Sequence, residues 1–247
     1  MKVLAINGSP NMDQGNTAEI LKPFLEGMEE AGAEVEVLYT RKLNIKPCLG
    51  EFDCWLKTPG KCFQKDDMAE VLPKLAQADI WVLATPVYID GVTGPMKNLM
   101  DRNIPLVEPF FELRDGHCRH PRREGTRPGK IALVSNCGFW EIDNFDPMIA
   151  HVKAWCKNAD REFAGALLRP QGGAVRAMRE MGAPVGDIIE AAKEAGRQLI
   201  REGKMSSETL DTVSRELMPL EAYVQITNQN FKQALEQNQL KQAKAAG

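Results

Sequence analysis

The sequence predicts a doubly wound α/β fold, a five-stranded parallel sheet with helices on both faces. Three observations carry that expectation. Short apolar runs alternate with amphipathic helical stretches over the first two-thirds of the chain. One run, Ile80–Ala84 (I-W-V-L-A), is apolar throughout, as in a central strand buried on both faces. The first run, Val3–Ile6, empties into a loop rich in Gly, Ser and Asn that feeds a helix near Thr17.

Each element follows from its own pattern. The helix over residues 17–31 carries Ile20, Leu21, Phe24, Leu25 and Met28 on one face, and Gly32 ends it. Glu34–Tyr39 alternates polar and apolar residues, as in an edge or half-exposed strand. A long loop follows over residues 41–64. Asp66 then caps a helix bearing Met68, Val71, Leu72 and Leu75, with Asp67 and Glu70 favourable near its N-terminus. Pro95 opens a short helix to Arg102. Ile131–Ser135 and Phe163–Leu168 supply two more strands, separated by a helix over residues 147–158, and another helix covers 185–201. In a parallel sheet of this kind ligands collect beyond the carboxyl ends of the strands. That rule nominates three loops, at residues 7–17, 85–94 and 135–141.

The first loop reads N-G-S-P-N-M-D-Q-G-N-T (Asn7 to Thr17). A helix N-terminus points unpaired N–H groups and partial positive charge into such a loop, which suits an anion and above all a phosphate. Ser9, Asn11, Asn16 and Thr17 add neutral donors, and the loop itself holds no Lys or Arg. A phosphate monoester forming a fixed part of a cofactor fits that chemistry. The rival glycine loops are missing: there is neither G-x-x-x-x-G-K-[ST] nor G-x-G-x-x-G after the strand. An ordinary turn capped by Asn16 or Thr17 is the bland alternative. In the second loop Pro86 stiffens the strand exit, and Val87 and Tyr88 set an apolar and an aromatic side chain where a planar ring could rest. In the third, Asn136, Cys137 and Gly138 lead into Phe139 and Trp140.

Composition narrows the classes. The chain has 247 residues, 43% of them hydrophobic, and a net charge of −3 with interspersed signs. That balance points to no nucleic-acid partner and lacks the strong acidity of a small electron shuttle that docks by charge. The apolar run after Lys2 is too short for a signal peptide and no stretch reaches membrane-spanning length, so a cytoplasmic protein without a membrane partner is expected. Its six cysteines are then expected to stay reduced.

Three segments together, G-S-P-N-M-D-Q-G-N-T, C-x5-C-W-x-K-T-P-G-x-C-x3-D-D-M and T-P-V-Y-x5-G-P-M-K-x3-D-R, resemble the flavodoxin-like NAD(P)H-dependent FMN reductases. The similarity is strongest to the branch containing the iron–sulfur flavoproteins and covers roughly residues 1–200. It implies a flavodoxin-like fold and FMN at the strand ends. Ser9, Asn11, Asn16 and Thr17 would surround its phosphate, Pro86, Val87 and Tyr88 would run beside the ring, and Asn136, Cys137 and Gly138 would close the other side. It also implies a homodimer or homotetramer.

One motif departs from that branch, whose four cysteines run C-x2-C-x2-C plus one more. Cys48, Cys54 and Cys62 match the first, third and fourth positions, but the second is Glu51. A [4Fe–4S] cluster wants four thiolates, so none is expected, and neither is zinc on the same residues. A basic insertion, R-D-G-H-C-R-H-P-R-R (Arg114 to Arg123), is expected as a solvated loop near the pocket rather than a metal site on His117, Cys118 and His120. In a functional variant of that reading, Arg119, Arg122 or Arg123 attracts the phosphates of NADPH.

The function expected is an FMN-dependent oxidoreductase that takes hydride from NAD(P)H and reduces a small-molecule electron acceptor such as a quinone or flavin. The alternative is an FMN electron-transfer protein fed by a ferredoxin-like donor, without a productive nicotinamide site. A third reading is a flavin-binding interaction module. Hydride transfer needs no protein acid or base, so no catalytic residue is assigned. Residues 1–204 are expected as the flavin domain and 205–247 as a helical extension. Leu210, Val213, Leu217 and Leu220 make one apolar stripe there, and Val224, Thr227, Phe231 and Leu235 make a second in a helix restarting near Pro219.

Overall fold

A computed structural model describes residues 1–245. In chain order the elements are β1 (Lys2–Asn7), α1 (Ala18–Glu30), β2 (Glu34–Tyr39), α2 (Asp53–Leu56), α3 (Met68–Gln77), β3 (Ile80–Pro86) and α4 (Gly94–Asp101). A short hairpin of β4 (Glu112–Arg114) and β5 (His117–Arg119) precedes β6 (Lys130–Asn136), α5 (Asp146–Asn158) and β7 (Glu162–Arg169). Four helices follow: α6 (Gly172–Glu180), α7 (Gly186–Glu202), α8 (Ser207–Ser214) and α9 (Leu220–Ala245).

The main sheet has the order β2-β1-β3-β6-β7 with every pairing parallel, which is the flavodoxin-like doubly wound arrangement. As its alternation foretold, β2 lies at an edge, whereas β3 is central and buried through Thr85. Successive side chains point to opposite faces. Leu4, Ile6, Trp81, Leu83, Ile131 and Leu133 pack with the apolar faces of α3, α4 and α5.

The other face meets α1 and α7. These helices cross so closely that a Cβ on Gly27 would overlap the Lys193 carbonyl and one on Gly196 would overlap that of Phe24. Only glycine permits that approach.

Three elements lay outside the sequence expectation: α2, the hairpin and α6. Each is short, and its apolar content is too small for periodicity to show. The expected stripe from Leu210 to Leu220 also changes. The helix stops at Ser214, so Leu217 and Leu220 are not on it. Buried Arg169 at the end of β7 donates to the carbonyls of Val213, Ser214 and Arg215 and so satisfies the end of α8.

By contacts the chain forms two units, Met1–Arg215 and Glu216–Gly247, a division further along than the 204/205 boundary expected from the sequence. Within the second unit, Val224, Phe231 and Leu235 of α9 are exposed. Residues 246–247 of the expected extension lie outside the described residues. No helix among the described residues is long and apolar enough to cross a membrane.

Candidate functional site

The three nominated loops leave the carboxyl ends of β1, β3 and β6, and hydrogen bonds join them. The Thr93 hydroxyl donates to the Gly8 carbonyl at 2.9 Å, linking the second loop to the first. Val87 N–H donates to the Asn136 carbonyl at 2.9 Å, linking the second to the third. The buried Thr17 hydroxyl donates to Asn136 Oδ1 at 2.5 Å, linking the first to the third. Thr17 therefore does not cap its own helix with its side chain, and the ordinary capped turn gives way to a loop braced from across the sheet.

The first loop is tightly folded. Ser9 is buried, its N–H donates to Asn7 Oδ1, and its hydroxyl accepts from Asn11 N–H at 3.4 Å. A side chain at Gly15 would collide with that same hydroxyl. Asn11 is exposed and Asn16 half-buried. Among the described residues, the backbone N–H groups of Asn16 and Thr17 have no acceptor, and neither does the buried Asn7 Nδ2. Orphaned donors at the start of a thirteen-residue helix are the means by which a protein holds a phosphate.

Two arginines brace this loop from outside it, and sequence reasoning missed both. Arg176 of α6 donates to the carbonyls of Gln14 and Gly15 and pairs with Glu19, which is buried in the first turn of α1. Arg41 donates to the carbonyl of Pro10 at 2.6 Å. The loop contains no cation, yet its surroundings supply two. The buried Glu19 was the one local signal, since a buried carboxylate requires a partner.

Beside the loop, a cavity of about 480 Å³ opens between the second and third loops, lined by Val87, Tyr88, Cys137, Gly138 and Phe139. Its rim is a tight turn in which Tyr88 and Gly91 exchange backbone hydrogen bonds and Ile89 and Asp90 both have positive φ, 46° and 60°. A β-branched residue with positive φ is strained, and Ile89 is also 98% exposed. Pro86 and Val87 are half-buried, whereas Asn136 and Cys137 are buried. Burial pushes the Cys137 thiol up, so it stays protonated.

Residues 1–114 match the family model described as NADPH-dependent FMN reductase. That part of the chain is similar to the FMN reductases, and the relatives it matches are iron–sulfur flavoproteins. An iron–sulfur flavoprotein of Archaeoglobus fulgidus is 46% identical over 115 residues, covering 47% of this chain and 55% of that one. A second, from Methanocaldococcus jannaschii, is 41% identical over 115 residues, covering 47% and 58%. The chain thus spans little more than half the length of the curated relatives it matches. Among solved structures, an FMN-dependent NADH-azoreductase from Bacillus anthracis in complex with FMN has a TM-score of 0.58 at 16% identity. That match covers 81% of this chain and 99% of the azoreductase, and shows a shared fold.

The cysteine loop, residues 48–62, differs from a four-thiolate site. Cys54 is buried, Cys62 half-buried and Cys48 exposed, and Glu51 keeps a buried oxygen without a hydrogen-bond partner. Burial, then the proximity of Cys62, Glu51 and Cys48, pushes the Cys54 thiol up to about 11. Among the described residues no three His, Cys, Asp or Glu side chains are arranged to hold a metal ion. The donor set of three thiols and a carboxylate does not fit a cluster that wants four thiolates. The loop is instead pinned by protein contacts. Trp55 Nε1 donates to Ile104 and Val107 carbonyls. Asp66 forms a two-pronged ion pair with Arg102 at 2.7 and 3.0 Å, the side chains being 0% and 1% exposed. Asp66 also accepts from Met68 N–H at the start of α3.

The basic insertion corrects an expectation. It forms the β4–β5 hairpin and lies by Gly129, Lys130 and Glu162, at the amino ends of β6 and β7. The seven residues of β6 put the three joined loops about 20 Å away. Arg119 and Arg122 line a cavity at that far end, and Arg123 donates to the Pro105 carbonyl and pairs with Glu108.

Proposed function

We propose that this chain binds FMN at the three joined loops and is an FMN-dependent oxidoreductase that takes hydride from NAD(P)H and reduces a small acceptor such as a quinone or free flavin. The observation that carries the reading is the set of orphaned donors on Asn16, Thr17 and Asn7 beside an open cavity walled by Val87, Tyr88 and Cys137. The family-model match over residues 1–114 and the fold shared with an FMN complex support it.

Bound FMN supplies the redox chemistry, and the chain supplies position and electrostatics. The Asn16 and Thr17 N–H groups and the Ser9, Asn11 and Asn16 side chains would hold the phosphate, with the helix dipole of α1 favouring its charge. Thr17 and Asn136 fix the distance between phosphate loop and ring pocket through their shared hydrogen bond. Pro86, Val87 and Tyr88 offer one wall for a flat ring, and Asn136, Cys137 and Gly138 the other. Tyr88, 52% exposed, stands at the open side where a second planar substrate would stack.

The similarity to iron–sulfur flavoproteins favours a second reading, an electron-transfer protein fed by a ferredoxin-like donor. One experiment separates the two. Anaerobic oxidation of NADH and NADPH by the FMN-loaded protein, with and without quinone, is expected to run at catalytic turnover. Stoichiometric flavin with no nicotinamide oxidation would select the electron carrier, and a protein that retains no FMN would overturn both. Iron and sulfide analysis of anaerobically purified protein is expected to fall far below the four of each that a [4Fe–4S] centre holds.

A further inference from the structure

At the amino ends of β6 and β7 lies a cavity of about 660 Å³ that no part of the flavin chemistry uses. Arg114, Arg119, Arg122, Lys130, Lys157 and Arg161 line it, against the acids Asp115, Asp160 and Glu162. Two of those acids are already engaged: Asp160 pairs with Arg114 at 2.9 Å and with Arg122 at 3.6 Å, and Glu162 pairs with Lys130 at 2.9 Å.

Arg161 is the decisive residue. It is 6% exposed, and its guanidinium lies 3.7 Å over the Trp81 ring. One nitrogen donates to the carbonyls of Leu75, Ala78 and Arg127. The other two, Nε and Nη1, are buried without any acceptor among the described residues, and so is Nη1 of Arg122. Burial, then the charge of Arg122, pulls the Arg161 guanidinium down to about 10, so it remains a cation at neutral pH. A buried charge normally has a partner of opposite sign, because leaving one unpaired is strongly destabilising. Here the fold supplies carbonyls on one side, a second arginine on the other, and open space lined by both.

We propose that this cavity is a second anion site, distinct from the flavin loops, which binds a small molecule carrying a phosphate or pyrophosphate group on Arg161 and Arg122. Planar guanidinium forks match phosphate oxygens, and an anion in the cavity would offset the excess of cations over acids in its lining and bring the negative charge that buried Arg161 lacks. The cavity is larger than one inorganic phosphate, which leaves room for the remainder of an ester beside His117 and Lys157.

The test is calorimetric titration of protein loaded with FMN and freed of unbound flavin, so that the phosphate loop of α1 is filled and no free phosphate ester competes for the cavity. Inorganic phosphate, pyrophosphate and ADP are the probes, and sodium chloride at matched ionic strength is the blank. Saturable binding of at least one probe is expected, with about one site per chain. Inorganic phosphate binding as tightly as ADP identifies the free anion as the source, and tighter ADP identifies an ester. Arg122→Gln is expected to weaken binding at least about tenfold, the scale of one lost hydrogen bond to a charged group. Arg161→Met removes carbonyl contacts as well, so its folding is checked by circular dichroism and Arg122→Gln decides if it fails. Heats indistinguishable from the chloride blank, or binding unchanged in Arg122→Gln, would overturn the proposal.

Discussion

The two ends of the sheet handle charge in opposite ways. At the carboxyl ends of the strands, anion-binding capacity comes from neutral groups: orphaned N–H donors on Asn16 and Thr17, with arginines turned outward onto loop carbonyls. At the amino ends, whole guanidinium charges are buried, and two nitrogens of Arg161 have no acceptor among the described residues. Neutral donors keep their place without an occupant because backbone geometry fixes them. A buried cation must be held by the fold at a standing cost. The first end is suited to a cofactor fixed in place, and the second to a ligand whose charge completes the structure.

The largest effect is expected where a buried arginine has its carboxylate. Asp66→Asn would turn Arg102 into a second uncompensated cation, and a loss of about 3–5 kcal/mol is the size measured for broken buried pairs. Urea unfolding is the measurement. A loss below about 1 kcal/mol, the range of exposed pairs, would mean that this fold tolerates unpaired buried arginines, and the contrast between the two ends would lose its force.

At the neutral end, Asn16→Ala with Thr17→Ala removes side-chain donors and the Asn136 brace. Each hydrogen bond to a charged group is worth about 1.5–3 kcal/mol, so FMN affinity is expected to fall at least tenfold, with a smaller loss of stability, about 1–3 kcal/mol, from the buried Asn136 acceptor left unpaired. Unchanged flavin retention in ultrafiltration would move the cofactor elsewhere.

The pair also sets an acid limit. Burial alone would raise the Asp66 carboxyl, but the Arg102 guanidinium and the Lys46 and Met68 N–H groups outweigh it and hold it below the usual carboxylate range. A lowered folded value means that its stabilisation is complete above the unfolded value of about 3.9 and is lost as pH falls through the folded one. Stability followed by denaturant midpoint is expected to drop below about pH 4, and Asp66→Asn is expected to flatten that drop. An identical slope in the variant would remove Asp66 from the account.

The smallest effect is expected at the second unit. Removing residues 216–247 leaves α8 and its Arg169 cap intact, so flavin binding and unfolding of the remainder should be nearly unchanged. If the exposed face of Val224, Phe231 and Leu235 joins copies of the chain, sedimentation velocity will show a smaller species. An unaltered sedimentation coefficient, corrected for mass, rules that role out.

The strands and main helices were legible in the sequence because their signals are local. Alternation in E-V-E-V-L-Y marks an edge, the unbroken I-W-V-L-A marks the centre, and Ile20, Phe24 and Met28 mark a helix face. The loops that gather at the strand ends followed from topology alone, since parallel strands deliver their exits to one edge. What the sequence could not contain was long-range pairing. Nothing near Gln14 announces Arg176, more than a hundred and fifty residues away, and α6 is too short to show a period. The basic insertion was legible as charge but not as place. Only tertiary structure sets it at the amino ends of β6 and β7, because the direction in which a hairpin folds back depends on partners such as Asp160 and Lys157, which lie far along the chain.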